Sequence, residues 1–282
     1  MRLAVVDIAE LEERGYRLHG RELQLGEGDM AVELTDGTRG WIRRLAPPQW
    51  RAGVVGGSHA GAVRTAWTAL GVGIAGDTNV AWLTPLERLF LCESKLLQDR
   101  IARDLAILTP QTTVTSDRSL IPEALGRNLV IKPLGTSHYA SDDAGEQVVW
   151  TNPLDVSAPE LDHLGSAPFI VQERLDAERH LRVVTVRDRV WVYELDAAGL
   201  DVDWRGSEDA HHSFTSADEP DVARQALALA KAMSVGYSSQ DWVVTRDGAY
   251  FVDLNPAGQW LFLPEPEVSE VTDSIAAWLA GE

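Results

Sequence analysis

The chain has 282 residues, 45% of them hydrophobic and 24% charged, which is enough for a substantial core and for two or three subdomains with a cleft between them. No run approaches the ~20 uninterrupted apolar residues of a membrane span. The 43 acidic and 25 basic residues give a formal net charge of −18, which repels a nucleic-acid backbone. Membrane and nucleic acid are therefore excluded as partners, and any polyanionic ligand must be met by a few well-placed cations.

The opening Met1-Arg2-Leu3-Ala4-Val5-Val6-Asp7 reads as a short strand. Its apolar run is too brief for a secretory signal, so the expected compartment is the cytoplasm. Turn signals at Gly26-Glu27-Gly28-Asp29 and Thr35-Asp36-Gly37-Thr38 predict β-hairpins up to about residue 50, in a small β-rich N-terminal unit over residues 1–85. Ser58 to Leu70 predicts a helix, and Gly71-Val72-Gly73 a break after it. Cys92 is the only cysteine, so it forms no internal disulfide or thiolate metal site, and packing is its expected role.

A middle lobe is expected over residues 86–175. Leu86, Leu89 and Phe90, then Leu96, Leu97, Ile101 and Leu105 have helical spacing, with Ser94 as an internal N-cap that splits the run and puts Lys95 at a helix start. Strands are predicted at Thr112 to Thr115, Leu129 to Lys132, Gln147 to Trp150 and Phe169 to Gln172.

The last lobe, residues 176–282, begins with the strand pair Leu181 to Val186 and Val190 to Leu195, followed by a polar loop from Asp201 to Pro220. A helix over Asp221 to Met233, a second hairpin (Asp241 to Thr245 with Tyr250 to Leu254) and a closing amphipathic helix over Val268 to Leu279 complete it.

That second hairpin carries the most informative chemistry. Asp253 and Asn255 are two apart on a strand and share a face, and Asp241 lies on the partner strand within reach of it. Two carboxylates and a carboxamide form an all-oxygen set of the kind magnesium prefers when phosphates complete its shell. The bland alternative is a pair of solvated acids ahead of an Asn-Pro turn, against which stands the apolar framing of Asp253 by Val252 and Leu254. Lys132 ends an apolar strand before Pro133-Leu134-Gly135-Thr136-Ser137-His138. A lysine delivered to a small-residue loop suits a phosphate, although an edge lysine before a turn is equally common. Arg182 on a strand and Arg205 in the loop Asp203-Trp204-Arg205-Gly206 have the planar fork for phosphate or carboxylate, or simply solvate the surface. His211-His212 lack a third imidazole or thiolate nearby and read as a solvated loop. Trp204 and Trp260 border these segments.

In order and spacing the pieces resemble ATP-grasp ligases, especially ribosomal-protein glutamate ligases and the peptide maturases that make graspetides. The resemblance runs from about Asn79 to the C-terminus. It rests on Ser94-Lys95-Leu96-Leu97-Gln98 with Thr109-Pro110-Gln111-Thr112, on Val130-Ile131-Lys132-Pro133-Leu134-Gly135, on Val171-Gln172-Glu173-Arg174 with Leu181-Arg182-Val183, and on the Asp241 to Trp260 hairpin. Within the last, Asn255-Pro256-Ala257-Gly258-Gln259-Trp260 looks like the maturases in particular. The resemblance implies an α+β ATP-grasp fold of two lobes gripping ATP, behind a small β-rich N-terminal domain. It implies Lys95 and Lys132 on the nucleotide phosphates, Gln172, Glu173, Arg174 and Leu175 around the adenine, and Glu178 or Asp176 as ribose partner. Arg182 and Arg205 would be the catalytic arginines, facing the γ-phosphate and the activated carboxylate, with Asp241, Asp253 and Asn255 on Mg2+. Asp253 stands where the family usually has Glu, and His180 where an acid often contacts the nucleotide.

The implied reaction is ATP-dependent ligation through an acyl phosphate, which needs no protein nucleophile. The expected partner is a precursor peptide, modified on acidic side chains, or else a small carboxylate or amine substrate, with a homodimer allowed. A nucleotide-binding module without turnover is the reading from a different class. Retention of both lysines, both arginines and all three oxygen ligands speaks against it.

Overall fold

The computed structural model describes residues 3–26, 30–43, 57–126, 128–135, 138–141, 145–155 and 167–282. Residues 3–7 do not form the expected opening strand. Asp7 instead starts helix α1 (Ile8–Arg14), its carbonyl accepting the N–H groups of Glu10 and Leu11, and the following Ala-Glu-Leu-Glu-Glu run consists of strong helix formers. The β-rich character is carried by an antiparallel meander of β1 (Tyr16–His19), β2 (Glu22–Leu25) and β3 (Met30–Glu33). Residues 27–29 of the first predicted turn lie outside the described residues. The second turn is present: the Thr38 N–H donates to the Thr35 carbonyl, and Gly37 supplies φ +93°.

Strand β4 (Arg39–Gly40) later pairs in parallel with β5 (Ala81–Trp82). Between them α2 (His59–Ala75) starts on the Ser58 hydroxyl, which accepts from the Gly61 N–H, and runs through the expected break to Ala75. Gly71, Ile74 and Ala75 are buried there, and that packing outweighs the ~1 kcal/mol cost of a helical glycine. The helix ends at Gly76, where a Cβ would sit 2.8 Å from the Val72 carbonyl oxygen.

Helices α3 (Leu86–Cys92) and α4 (Lys95–Asp104) are split at Ser94, whose hydroxyl accepts from the Leu97 N–H. Next come β6 (Thr112–Thr115), β7 (Leu129–Pro133), the hairpin β8 (His138–Ser141) and β9 (Gly145–Val148), β10 (Asn152–Leu154) and β11 (Phe169–Glu173). Strand β9 thus stops at Val148, short of the predicted Trp150. The central sheet has the order β10-β7-β11-β6 and is antiparallel throughout.

The C-terminal sheet is built from β12 (Arg179–Val186), β13 (Arg189–Asp196), β14 (Thr215–Ser216), β15 (Tyr237–Thr245) and β16 (Gly248–Asn255), in the order β14-β13-β12-β15-β16. Short α5 (Glu208–His211) interrupts the polar loop, while α6 (Pro220–Met233) and α7 (Glu267–Ala280) cover the sheet. On one face Leu181, Val183, Trp242, Phe251 and Leu254 pack with Val222, Ala226 and Leu229 of α6, and with Ala102 of α4 and Cys92. Helix α4 therefore belongs to this core. Cys92 is fully buried, and burial pushes its thiol up to about 11, which agrees with a packing role. On the other face Val184, Val186, Tyr193 and Tyr237 meet Val268, Val271 and Ile275 of α7.

One irregularity matters for function. The register shifts between Asp241 and Trp242, so that Asp241 faces Asp253 while Trp242 faces Phe251. Val252 is the extra residue of a β-bulge, and this lets Phe251 and Leu254, three apart, share the α4/α6 core. Among the described residues no helix is long and apolar enough to cross a membrane.

Candidate functional site

A cleft of about 280 Å³ lies between the central and C-terminal sheets, lined by Lys132, Leu175, His180, Arg205 and Asp241 among others. Lys132, Gln172, Pro110 and Val252 also line a second hollow of about 250 Å³ that reaches Lys95 at the start of α4. The bulged Val252 thus forms wall for both spaces.

Across the C-terminal sheet, Arg182 of β12 is in register with Asp241 of β15, which is in register with Asp253 of β16. Lys95 closes the row from α4, with its ammonium 2.6 Å from Asp253 Oδ1. The sequence of charge is plus, minus, minus, plus. Burial opposes ionisation of Asp253, but Lys95, with Lys132 and Arg205 beyond it, outweighs burial and holds the carboxyl at about 2. Lys132 is pulled down to about 8, first by burial and then by the charge of Lys95.

Arg182 pairs with Asp241 and donates to the Gln259 carbonyl at 3.4 Å, and its guanidinium lies 5.9 and 5.7 Å from the rings of Trp204 and Phe262. Its Nε is buried and has no hydrogen-bond partner among the described residues. Arg205 grips Asp203 with a two-pronged fork at 2.7 and 2.8 Å. The same carboxylate accepts the Thr151 N–H at 3.0 Å. It therefore ties the 201–220 loop to the residue before β10. Burial works against ionisation of Asp203, but the Arg205 fork and the Thr151 N–H keep its carboxyl below the usual carboxylate range.

Asn255 is exposed at the end of β16, and its carboxamide oxygen accepts from the Ala257 N–H. Asp241 lines the cleft and faces Asp253 across the sheet, and Asn255 follows two residues on along β16, opposite Ser239. As an all-oxygen set with two charges they fit a hard divalent cation with open positions for phosphate oxygens. Among the described residues no group of three or more His, Cys, Asp or Glu side chains could hold a metal.

At the cleft's far end the Gln172 side chain donates to the Thr112 hydroxyl, and Glu173 accepts the Gln111 N–H on its carboxylate. The N–H groups of Glu173 and Arg174 are taken by the carbonyls of Gln111 and Asn128. Leu175 is the first of this run whose N–H has no partner among the described residues. Asp176 lines the cleft, whereas Glu178 turns away to within 3.5 Å of Arg246. His180 is buried against the cleft, and burial favours its neutral imidazole over the pull of Asp241 and Asp203. His211 is not in a solvated loop: it is half-buried, 5.1 Å from Trp204 and 5.2 Å from Phe262, because the aromatic cluster of Trp204, Phe214 and Phe262 folds the loop inward. Residues 136 and 137 of the small-residue loop after Lys132 lie outside the described residues.

Two residues escaped sequence reasoning. Asp203 was legible only as the first residue of Asp-x-Arg. Gln98 is fully buried, donates to the carbonyls of Cys92 and Leu254 at 2.6 and 2.8 Å, and accepts the Leu254 N–H at 2.9 Å. One carboxamide thus fixes the backbone next to Asp253, and the available signal was a polar residue one helical turn after Lys95.

No protein-family model matches the chain, and no curated protein matches its sequence. Solved structures do. Macrocyclase MdnC, bound with precursor peptide MdnA from Microcystis aeruginosa MRC, superposes with a TM-score of 0.80 at 22% identity over 98% of this chain and 90% of its own. A RiPP-associated ATP-grasp ligase of Chryseobacterium gregarium, in complex with ADP and a leader and core peptide, gives 0.82 at 21% identity over 98% and 87%. ATP-grasp ligase PsnB complexed with minimal precursor gives 0.70 at 17% identity over 96% and 88%. The likeness extends over the N-terminal unit that the sequence motifs did not reach, and it establishes that the chain has the ATP-grasp fold.

Proposed function

We propose that the chain is an ATP- and magnesium-dependent ligase that activates acidic side chains of a ribosomal precursor peptide as acyl phosphates and passes them to an amine or hydroxyl. The observation that carries this is the row Arg182, Asp241, Asp253 and Lys95, which meets the inter-sheet cleft at Asp241, with Lys132 and Arg205 lining the same cleft. The row supplies cations for phosphates and oxygens for a metal in one place. Further support comes from the solved structures of similar fold, among them MdnC bound with its precursor peptide and the Chryseobacterium gregarium ligase with ADP, leader and core peptide.

Lys95 and Lys132 meet the nucleotide phosphates, the Leu175 amide and its neighbours flank the adenine, and Asp176, rather than Glu178, serves the ribose. Asp241, Asp253 and Asn255 hold Mg2+, which when bound neutralises phosphate charge as a Lewis acid. Arg182 and Arg205 orient the peptide carboxylate against the γ-phosphate. A carboxylate oxygen bonds to the γ-phosphorus as the bond to the ADP oxygen breaks. The amine nitrogen or hydroxyl oxygen then bonds to the acyl carbon, inorganic phosphate leaves, and the nucleophile loses its proton. Positioning and neutralisation of developing charge suffice for both steps.

Incubation with ATP, Mg2+ and short acidic peptides encoded beside this reading frame should remove one water from the peptide per bond formed and release ADP and phosphate. AMP and pyrophosphate as products would reject the acyl-phosphate route. Turnover with small amino acids alone would select the small-molecule ligase instead.

A further inference from the structure

The Asn-Pro-x-Gly-Gln-Trp segment after β16 is the most distinctive stretch of the sequence, and metal ligation uses only its first residue. The structure shows how the rest is held. Three consecutive carbonyls are each capped by a side chain from a different element. Arg43 of the N-terminal unit donates to Ala257, the Tyr237 hydroxyl to Gly258 at 2.7 Å, and Arg182 to Gln259 at 3.4 Å. Gly258 packs so closely on β15 that a Cβ there would lie 2.5 Å from Ser239 Cβ. Ala257 is held on both sides of its Cα, because the N–H of the 256–257 peptide donates to Asn255 Oδ1 at 2.9 Å while the carbonyl of the 257–258 peptide accepts from Arg43.

Arg43 is itself fixed by aromatic rings. Its guanidinium lies 5.5 Å from the Trp260 ring and 5.9 Å from that of Trp41, and the rings of Trp41, Trp260 and Tyr237 stand 5.6 Å from one another. A planar cation stacked in this way has few orientations open to it.

We infer that Arg43 is a positioning residue for the cation site: from the N-terminal unit it anchors the backbone at Ala257, and through the Ala257 N–H the Asn255 carboxamide, in the orientation that completes the Asp241 and Asp253 oxygen set. This rests on the metal assignment made above. Groups that orient a metal ligand without touching the metal commonly change affinity by 10–100-fold when removed, so the expected effect is one on cation affinity.

The test uses the full-length protein and Mn2+ as a paramagnetic substitute for Mg2+, with free Mn2+ followed by electron paramagnetic resonance in the presence of a non-hydrolysable ATP analogue. Arg43→Met keeps the stem and removes both charge and donors, and should raise the Mn2+ concentration for half-saturation about tenfold. Arg43→Lys keeps the charge and a donor group but loses the planar fork, and should fall between Arg43→Met and the parent. The comparison is Arg39→Met: Arg39 also ties the N-terminal unit to the C-terminal lobe, but through the Trp278 carbonyl and ring on α7, and its loss should leave Mn2+ affinity unchanged. Unmoved Mn2+ affinity in both folded Arg43 variants, or an equal shift in Arg39→Met, overturns the inference alone. A parent protein that binds no Mn2+ with nucleotide overturns the metal assignment and this inference together.

Discussion

Asp253→Asn is the most discriminating single change, because it removes one charge from the middle of a cluster without removing volume. The carboxyl sits at about 2 in the folded protein against an ordinary 3.8, a depression worth on the order of 2 kcal/mol. Its side chain is only 18% exposed, so solvent screening takes little from that figure. Because the folded value is the lower one, this stabilisation is complete above pH ~4 and is lost as pH falls toward 2. At neutral pH the variant forfeits it all, which for a chain of this size corresponds to a melting temperature lower by roughly 5 °C. The same change leaves Lys95 and Lys132 without their counter-charge, and a nucleotide's phosphates can restore it. ADP without magnesium should therefore stabilise Asp253→Asn more than it stabilises the parent, while added Mg2+ should no longer increase the shift. Differential scanning fluorimetry at pH 7 with ADP, with and without Mg2+, reads all three effects. A variant with unchanged melting temperature, or one that gains no more from metal-free ADP than the parent, would show that Asp253 does not balance the lysines.

Three further outcomes are expected. Burial and Lys95 draw Lys132 down to about 8 and a bound phosphate favours its charged form, so metal-free ADP affinity should fall as pH rises from 7 to 9, and Lys132→Met should abolish that slope in calorimetry. Asn255→Ala should lower turnover by ~10² or more, comparable to loss of a preorganised electrostatic contact, with the circular dichroism spectrum retained because the side chain is exposed. Arg205→Lys keeps charge but cannot reproduce the fork seen on Asp203, so kcat should drop while nucleotide Kd changes by less than roughly threefold. Steady-state kinetics beside calorimetry separates the two quantities.

Much of the fold could be read from the chain because periodicity is a local property. The cap at Ser94, the strands β7, β11, β12 and β13, and the helices α6 and α7 all followed from apolar spacing and turn residues. Sequence and structure differ where a neighbouring segment's preference or tertiary packing overrides a local signal. The Val5-Val6 run suggested a strand, but the helix formers after Asp7 take over. Gly71 and Gly73 suggested a break, but burial carries α2 past them. The bulge at Val252 has no sequence signature, since it is set by how Phe251 and Leu254 both reach one core. Convergence of Lys95, Lys132, Arg182, Asp241 and Asp253 was foreseeable from motif order, whereas their pairing was not. Which cation neutralises which carboxylate depends on register across three strands and on the placement of α4 by Gln98, and no window of sequence encodes that.

The pairing itself has a consequence for how ligands enter. At rest, Lys95 is spent on Asp253, Arg182 on Asp241 and Arg205 on Asp203, so a protein of net charge −18 presents a nearly balanced cleft. On the proposed function, a nucleotide arriving alone draws the cations toward its phosphates and strips Asp253 and Asp241 of their partners. Magnesium arriving alone claims those two carboxylates and strands Lys95 and Arg182. Each half-occupied state holds unpaired charge in a partly buried site, which is costly. With both present the lysines and Arg182 turn to phosphate, the carboxylates and Asn255 turn to the metal, and each charged side chain keeps a partner. Nucleotide and metal must then bind with strong positive coupling, reciprocal by thermodynamic necessity. That coupling originates in the exchange of partners along one row of the sheet, so it requires no movement of either lobe.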